Sequence, residues 1–479
     1  YPQHFDSIFL LGTMAVQLGQ FDIAEKLFQK AIQIKPNHAN VNYNLGVVLK
    51  KKGENKKAVI HYQKAIQINP NFVEAYNNLG AVFRELKELQ KAKNCYEKAI
   101  KIQPNYPRGY SNLGNILGEL GENEKSMRCY KKALEIEPNF VEAQQNIARF
   151  YIRKSDNTEK AISESYKTLK FHHDTSKFVN QKISLYRLKH DIQQAEYLSS
   201  KNYMVNGAKL FQVTGNKILK HKANKEDDDN LNQIILLNDD EIKSLLPYYK
   251  ANHIYLAQKI SSGCINPNKN WQDVEEQYFS SPNQIIYIDN FLSEKAIKEL
   301  REFCLVSKIW NEEYSNNKYL GAFSDKGFIS PTHLQIAAEL KQKLPKLFGP
   351  YSLTKFWAFK YDSTLGKGIN IHADFAKHNL NFWITPDEYN NNKNAGGLKV
   401  YDAIAPKDWS FQKYNTNPKE IYKFLSESGA KCTNIHYKFN RAVLFNSEYF
   451  HETDKINFKD GYETRRINIT YLFGDRHEK

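Results

Sequence analysis

The sequence predicts an α + β multidomain chain. An N-terminal α-solenoid is expected over about residues 1–172, a helical connector over 173–283, and a β-rich domain of double-sheet or barrel-like build over 284–479. Three observations predict this. Prolines recur every 34 residues in the first third; helical patterns continue without that period after about Phe171; and after Gln284 short runs rich in β-branched and aromatic residues take over. A length of 479 residues agrees with about three folding units.

The solenoid rests on a full set of positions in phase. Pro36, Pro70, Pro104 and Pro138 share the period with Gly12, Gly46, Gly80 and Gly114, with Leu11, Leu45, Leu79 and Leu113, and with Ala31, Ala65, Ala99 and Ala133. Phe28, Tyr62, Tyr96 and Tyr130 keep step, as do Ala24, Ala58 and Ala92, with Ser126 fourth. Small residues at fixed places let two antiparallel helices approach closely, proline closes the second helix, and the large residues fill the gap to the next hairpin. The pattern resembles the tetratricopeptide repeat in four consecutive units over about residues 5–140. A fifth, degenerate or capping unit starts near Val141, where Ala148 replaces the glycine and Ala161 is one residue out of phase.

One more position recurs: Asn44, Asn78, Asn112 and Asn146, each directly before the Leu-Gly or Ile-Ala pair. Asparagine is a poor helix former, so its recurrence suggests a use. A ladder of carboxamides, each donor and acceptor, suits the backbone of an extended peptide. The repeat regions of O-linked GlcNAc transferases and the clamp domains of co-chaperones, which this pattern resembles, use Asn at the matching place for that purpose. The resemblance therefore implies a protein or peptide partner in the repeat groove; a consensus-like repeat in an Asn-rich chain is the plainer alternative.

In the connector, Phe178 to Leu188 and Glu241 to Leu246 read as helical, and the charged stretch Lys220 to Asn232 reads as a solvated loop. In the last region, strands are expected at Ile285–Asp289, Lys355–Tyr361, Gly397–Tyr401, Arg441–Phe445 and Arg466–Phe473, with helices at Ser293–Val306 and Thr332–Leu344.

Composition narrows the class. Hydrophobic residues make up 41% and aromatics 13%, enough for packed cores. No run of about 18 apolar residues exists, so no membrane span is expected. The start lacks the layout of a signal peptide, and a chain opening on Tyr is expected to have lost its natural beginning, which leaves a removed signal open. Five scattered cysteines with no C-x-x-C argue against a disulfide framework and for a reducing, cytoplasmic location. The net charge of 68 − 53 = +15 is spread along the chain without a basic block, which argues against nucleic acid as the partner.

The chemistry is expected near the C-terminus. In Gly368-Ile-Asn-Ile-His372-Ala-Asp374, an extended backbone puts His372 and Asp374 on one side, so one metal ion can touch both. His451, at the end of another expected strand, offers a third ligand. Two imidazoles and a carboxylate on one face of a metal match the facial triad of non-haem Fe(II) oxygenases. Beginning 15 residues later, Arg466, Asn468 and Thr470 share one strand face. An arginine in an apolar strand calls for an anionic partner, and its planar guanidinium suits a carboxylate. Arg465 has the opposite parity, and Arg441 reads as a structural ion pair. Asn379 and Asn381 read as either donors to the metal ligands or plain turn-and-strand residues, and His378 and His436 as surface histidines.

This region, about 284–479, resembles the Fe(II)/2-oxoglutarate-dependent dioxygenases, particularly the prolyl-hydroxylase-like branch, whose pattern is H-x-D, a distal His, then R-x-S. The resemblance implies a double-stranded β-helix (jelly roll), with His372, Asp374 and His451 holding Fe(II) and Arg466 gripping the distal carboxylate of 2-oxoglutarate. Asn468 stands where Ser is commoner but keeps a hydrogen-bonding group. Tyr361 matches a tyrosine that bonds the cosubstrate, a core role being the alternative, and Gly396-Gly397 matches a glycine turn into a core strand. With O2, the implied activity is hydroxylation of a protein or peptide presented by the repeats. The alternatives are a non-catalytic peptide-binding scaffold and a dioxygenase acting on a small molecule or glycan.

Overall fold

The computed structural model describes residues 4–154, 157–172, 181–203, 205–222, 233–314, 319–362, 368–406, 409 and 411–475. The chain divides into two compact units, Tyr1–Ile147 and Ala148–Lys479.

The first unit is a row of helical hairpins: α1 (Phe5–Gln17) with α2 (Phe21–Ile34), α3 (Ala39–Lys51) with α4 (Asn55–Ile68), α5 (Val73–Glu85) with α6 (Leu89–Ile102), and α7 (Pro107–Glu119) with α8 (Asn123–Ile136). Each hairpin closes where a glycine meets an aromatic ring. A Cβ on Gly12, Gly46, Gly80 or Gly114 would lie 2.7, 2.8, 2.9 or 2.5 Å from the ring of Phe28, Tyr62, Tyr96 or Tyr130, so only glycine allows this approach. The turn inside each hairpin needs one residue with positive φ, supplied by Gly19, Gly53 and Gly121 at +72°, +80° and +79°. In the third hairpin Lys87 takes that place, at +62°. Helices α1, α3, α5 and α7 also pack against one another in sequence, lining one side of the array. Helix α9 (Val141–Lys154) follows the fourth hairpin.

The second unit begins along α9 and continues with α10 (Thr158–His172), β1 (Lys182–Ser184), α11 (Leu185–Ser200), α12 (Ala208–Lys222), β2 (Ile234–Leu236), α13 (Asp239–Lys250) and α14 (Trp271–Ser280). The part of 178–188 that is described is not one helix. Lys182–Ser184 pairs antiparallel with Ile234–Leu236, and Ser184 then caps α11 by accepting from the Arg187 N–H. The β-branched Ile183 and the N-cap serine explain why the helix starts only at Leu185. Phe178, and residues 223–232 of the charged stretch, lie outside the described residues.

The remaining elements are β3 (Ile285–Ile288), α15 (Glu294–Val306), β4 (Glu312–Tyr314), β5 (Tyr319–Phe323), α16 (Pro331–Lys343), β6 (Leu353–Tyr361), β7 (His378–Trp383), β8 (Leu398–Ile404), α17 (Phe411–Thr416), α18 (Pro418–Glu427), β9 (Cys432–Ile435), β10 (Ala442–Asn446), β11 (Tyr449–Thr453) and β12 (Ile467–Phe473). They form a seven-stranded sheet in the order β3-β10-β7-β12-β6-β5-β4 and a three-stranded sheet in the order β11-β8-β9. All pairings are antiparallel. One face of the large sheet packs on α15 and α16 through residues such as Leu300, Phe303, Ile336, Phe356 and Tyr471. The other face shares a second core with the small sheet, where Trp357, Phe359, Tyr361, Trp383, Val443 and Phe445 meet Leu398, Val400, Ile435 and Tyr437. No helix among the described residues is long and apolar enough to cross a membrane.

Candidate metal centre and its arginine

Backbone pairing brings the predicted ligands together. His372 and His451 form an antiparallel bridge in which the His372 N–H donates to the His451 carbonyl at 3.0 Å and the His451 N–H returns to the His372 carbonyl at 2.8 Å. The Asp374 N–H donates to the Ser447 carbonyl at 3.1 Å. His372 and Asp374 therefore sit on a loop pinned to β11 and its preceding turn rather than on a regular strand, while His451 lies in the middle of β11.

The side chains point one way. Nδ1 of His372 lies 2.8 Å from the Asn370 carbonyl, and Nδ1 of His451 lies 3.1 Å from the Tyr449 carbonyl. This geometry assigns the proton to Nδ1 in both rings and leaves each Nε2 lone pair available. Nε2 of His372 is 3.8 Å from Asp374 Oδ1, and Nε2 of His451 is 3.4 Å from Oδ2. One donor atom from each residue lies within 4.8 Å of the others. Asn379 Nδ2 donates to Asp374 Oδ2 at 2.7 Å, fixing the carboxylate's rotation.

Electrostatics favour the metal-binding protonation states. Burial, helped by His451, pushes His372 down to about 4, so its ring is neutral at pH 7. Burial alone would raise Asp374, but His451, and then His372 and Lys355, hold it below the ordinary carboxylate value. Two imidazoles and one anionic oxygen donor fit a divalent first-row ion.

Arg466 lines the same cavity, together with Trp357, Phe359, Asn468 and Thr470. It is 1% exposed. Its Nε donates to the Gly396 carbonyl at 2.7 Å and its Nη1 to Asn468 Oδ1 at 3.1 Å, while Nη2 lies 3.5 Å from the Gly397 carbonyl. The rings of Tyr361, Trp383 and Tyr437 surround the guanidinium at 4.8, 5.7 and 6.0 Å. Among the described residues no carboxylate lies within ion-pair distance of it. Burial pushes the Arg466 pKa below its ordinary value, with Tyr361 and Tyr437 opposing, yet an arginine stays charged at neutral pH. A buried cation held only by neutral groups is set to receive an anion.

The other expected residues divide. Tyr361 is fully buried against Arg466; its hydroxyl, near Thr453 and Arg466, makes no well-aligned hydrogen bond among the described residues. Asn381 Nδ2 donates to Thr470 Oγ1 at 2.8 Å. Arg441 grips Asp289 through Nε at 2.5 Å and Nη2 at 3.0 Å, tying β10 to the end of β3. Arg465 lies beside the Tyr186 ring, 5.9 Å away. His436 is exposed as expected. His378 is not a surface histidine: it is 6% exposed, packed among Tyr278, Phe348 and Tyr351. It belongs to β7, which agrees with the strand alternative for Asn379 and Asn381. Tyr437 and Trp383, which surround the arginine, carried no sequence signal beyond being aromatic.

In the repeats three of the four asparagines have structural partners. Asn78 donates to the Tyr43 hydroxyl at 3.0 Å, Asn112 to Asn77 Oδ1 at 2.8 Å and Asn146 to Ser111 Oγ at 3.0 Å. Each bond reaches the preceding repeat, at the position just before that repeat's own asparagine. Recurrence of Asn thus has a reason in stacking, besides any contact with a peptide. Asn44, Asn78 and Asn112 remain partly exposed, whereas Asn146 is buried.

Tetratricopeptide-repeat family models match residues 12–53, 48–87, 73–106, 107–140 and 129–163. Residues 12–163 are tetratricopeptide repeats. Similar solved structures include MamA, at 26% identity over 35% of this chain and 96% of that one with a TM-score of 0.32. A thermophilic tetratricopeptide protein of Thermus thermophilus, TTC0263, matches at 22% identity over 35% and 90%, with a TM-score of 0.30. YrrB, described as a tetratricopeptide protein with an unusual peptide-binding site, matches at 20% over 36% and 89%, with a TM-score of 0.31. No curated protein matches the chain.

Proposed function

We propose that this chain is an Fe(II)/2-oxoglutarate-dependent oxygenase that hydroxylates a protein or peptide bound by its tetratricopeptide repeats. One observation carries the reading: a buried arginine that has no acidic partner among the described residues lines the same cavity as a His-Asp-His donor set. The two antiparallel sheets sharing a core over that cavity are read as the double-stranded β-helix of such enzymes.

His372, Asp374 and His451 would hold the metal through Nε2, a carboxylate oxygen and Nε2. Arg466 would take the distal carboxylate of 2-oxoglutarate, with Asn468 fixing its fork and Tyr361 offering a hydroxyl beside it. Fe(II) with 2-oxoglutarate and O2 supplies the oxidation that turns C–H into C–OH, with succinate and CO2 released. Trp357 and Phe359 keep that side of the cavity apolar and limit access of water. The repeats, a class of scaffold with extended binding surfaces, supply the substrate's holding site, with Asn44, Asn78 and Asn112 as backbone contacts.

The test is succinate formation by the full chain given Fe(II), 2-oxoglutarate and a peptide library, with mass detection of a 16 Da gain. Asn78→Ala with Asn112→Ala is expected to lower peptide-linked turnover about tenfold while 2-oxoglutarate affinity stays unchanged. Peptide-independent turnover that ignores both substitutions would favour a small-molecule substrate. No succinate under any condition from a folded, metal-loaded chain would leave a peptide-binding scaffold.

A further inference from the structure

Between β8 and β9, the described residues 405–406, 409 and 411–431 carry α17 and α18 and no candidate ligand, yet they touch both segments that carry the His-Asp-His donor set. Around the first two ligands, apolar and ligating residues alternate: Ile371, His372, Ala373, Asp374. Ile371 and Ala373 are fully buried and pack with Ala405, Tyr414, Ile421 and Leu425 of the insertion. Asn415 Nδ2 donates to the Ala373 carbonyl at 3.1 Å, on the residue that separates His372 from Asp374.

The third ligand is held similarly. Phe450, immediately before His451, is fully buried in the same cluster, its ring 6.1 Å from Phe424 and 6.3 Å from Trp409. Glu452, immediately after His451, accepts from the Tyr422 hydroxyl of α18 at 2.6 Å and from the Tyr401 hydroxyl of β8 at 2.7 Å. The insertion therefore grips the backs of two segments whose fronts carry all three donor atoms.

We propose that the α17–α18 insertion is a brace that sets the spacing of His372, Asp374 and His451 for metal binding, with Asn415 and Tyr422 as its polar attachment points. The inference rests on the metal-centre reading and names positioning residues, since neither side chain is a metal ligand. Without the Asn415 bond, the His372–Asp374 loop would be held by its bridge to His451 and its bond to Ser447, and its mean ligand spacing would widen.

The test uses the full chain, with Co(II) alone as probe, in the parent, Asn415→Asp and Tyr422→Phe. Asn415→Asp keeps shape but replaces a donor with an acceptor, and Tyr422→Phe removes one oxygen. Asn415→Asp is expected to weaken Co(II) binding about tenfold and Tyr422→Phe about threefold. Both are expected to change the visible ligand-field spectrum of the bound ion, and Asn415→Asp to speed hydrogen exchange of the His372 and Asp374 amides. Affinities within about twofold of the parent, with unchanged spectra and exchange, would overturn the brace and leave the metal centre standing. If Asn415→Asp does not fold, Tyr422→Phe decides by the same spectrum and affinity. A folded parent that binds no Co(II) would overturn the metal-centre reading and the brace with it.

Discussion

The two units solve the same problem, bringing distant residues together, in different ways. In the repeats a residue's neighbour is a fixed step along the chain: Gly12, Gly46, Gly80 and Gly114 each face an aromatic ring sixteen residues on. In the second unit neighbours are set by strand pairing, so Arg466 leans on the carbonyl of Gly396 from 70 residues away. A periodic scaffold forgives local change because each contact has copies. A site built from single, non-local contacts has none.

The sharpest contrast is between two glycines. A Cβ on Gly397 would lie 1.8 Å from the Ile435 carbonyl oxygen and 2.8 Å from the Tyr437 nitrogen, both backbone atoms of the adjoining chain. Gly397→Ala is expected to cost about 3 kcal/mol or more and to loosen the β8–β9 pairing beside Arg466. Calorimetry of the full chain is expected to show the second unit's transition displaced and the repeat unit's unmoved.

Acid offers the next effect. His333 is fully buried among Phe303, Phe328 and Phe356, and burial pushes it down to about 3. Its unfolded value is about 6.5. Between these values the unfolded chain binds a proton that the folded one refuses, so stability is full above pH 6.5 and falls by about 1.4 kcal/mol per pH unit below it. His333→Leu is expected to remove about 2 kcal/mol of the loss between pH 6.5 and 5, measured from urea midpoints. In the repeat unit burial also lowers His61, but that ring is only partly buried, so the repeats should show a shallower acid response.

Within the repeats, Gly80→Ala would meet the Tyr96 ring at 2.9 Å rather than backbone. A ring can swing, and the expected cost is about 1–2 kcal/mol, confined to the repeat transition. A loss as large as that of Gly397→Ala would show that the repeat contact yields no more readily than the backbone contact of Gly397. The smallest effect is a gain. Lys87 holds φ +62° where the other hairpins have glycine, so Lys87→Gly is expected to stabilise the repeats by about 1 kcal/mol. An unchanged or lowered repeat midpoint would mean that the Lys87 side chain outweighs its backbone strain.

The contrast also governs what could be read in the sequence. Phase alone located every hairpin of the first unit, since each position is stated four times. In the second unit the strands at β3, β6, β8, β10 and β12 were legible because they are β-branched or aromatic. Strand β7 was legible only as one alternative, because its cavity face carries Asn379 and Asn381, residues that disfavour strands unless a partner such as Asp374 or Thr470 awaits them. Short edge strands β4 and β9 gave too few residues for alternation to show. His372, Asp374, His451 and Arg466 were legible through residue type, spacing and parity. The rings around Arg466 and the support from Asn415 were not, because nothing local marks an aromatic or an asparagine whose partner lies in another segment.

The most direct test of the account is anaerobic titration of the full chain with Fe(II) and 2-oxoglutarate, following the weak visible charge-transfer band of a metal-chelated keto acid. A band is expected in the parent, with its loss in His372→Ala and its return in Arg466→Ala only at about a hundredfold more 2-oxoglutarate, as when a buried charged partner is removed. A folded parent that binds iron yet shows no band at any 2-oxoglutarate concentration would contradict the Fe(II)/2-oxoglutarate reading.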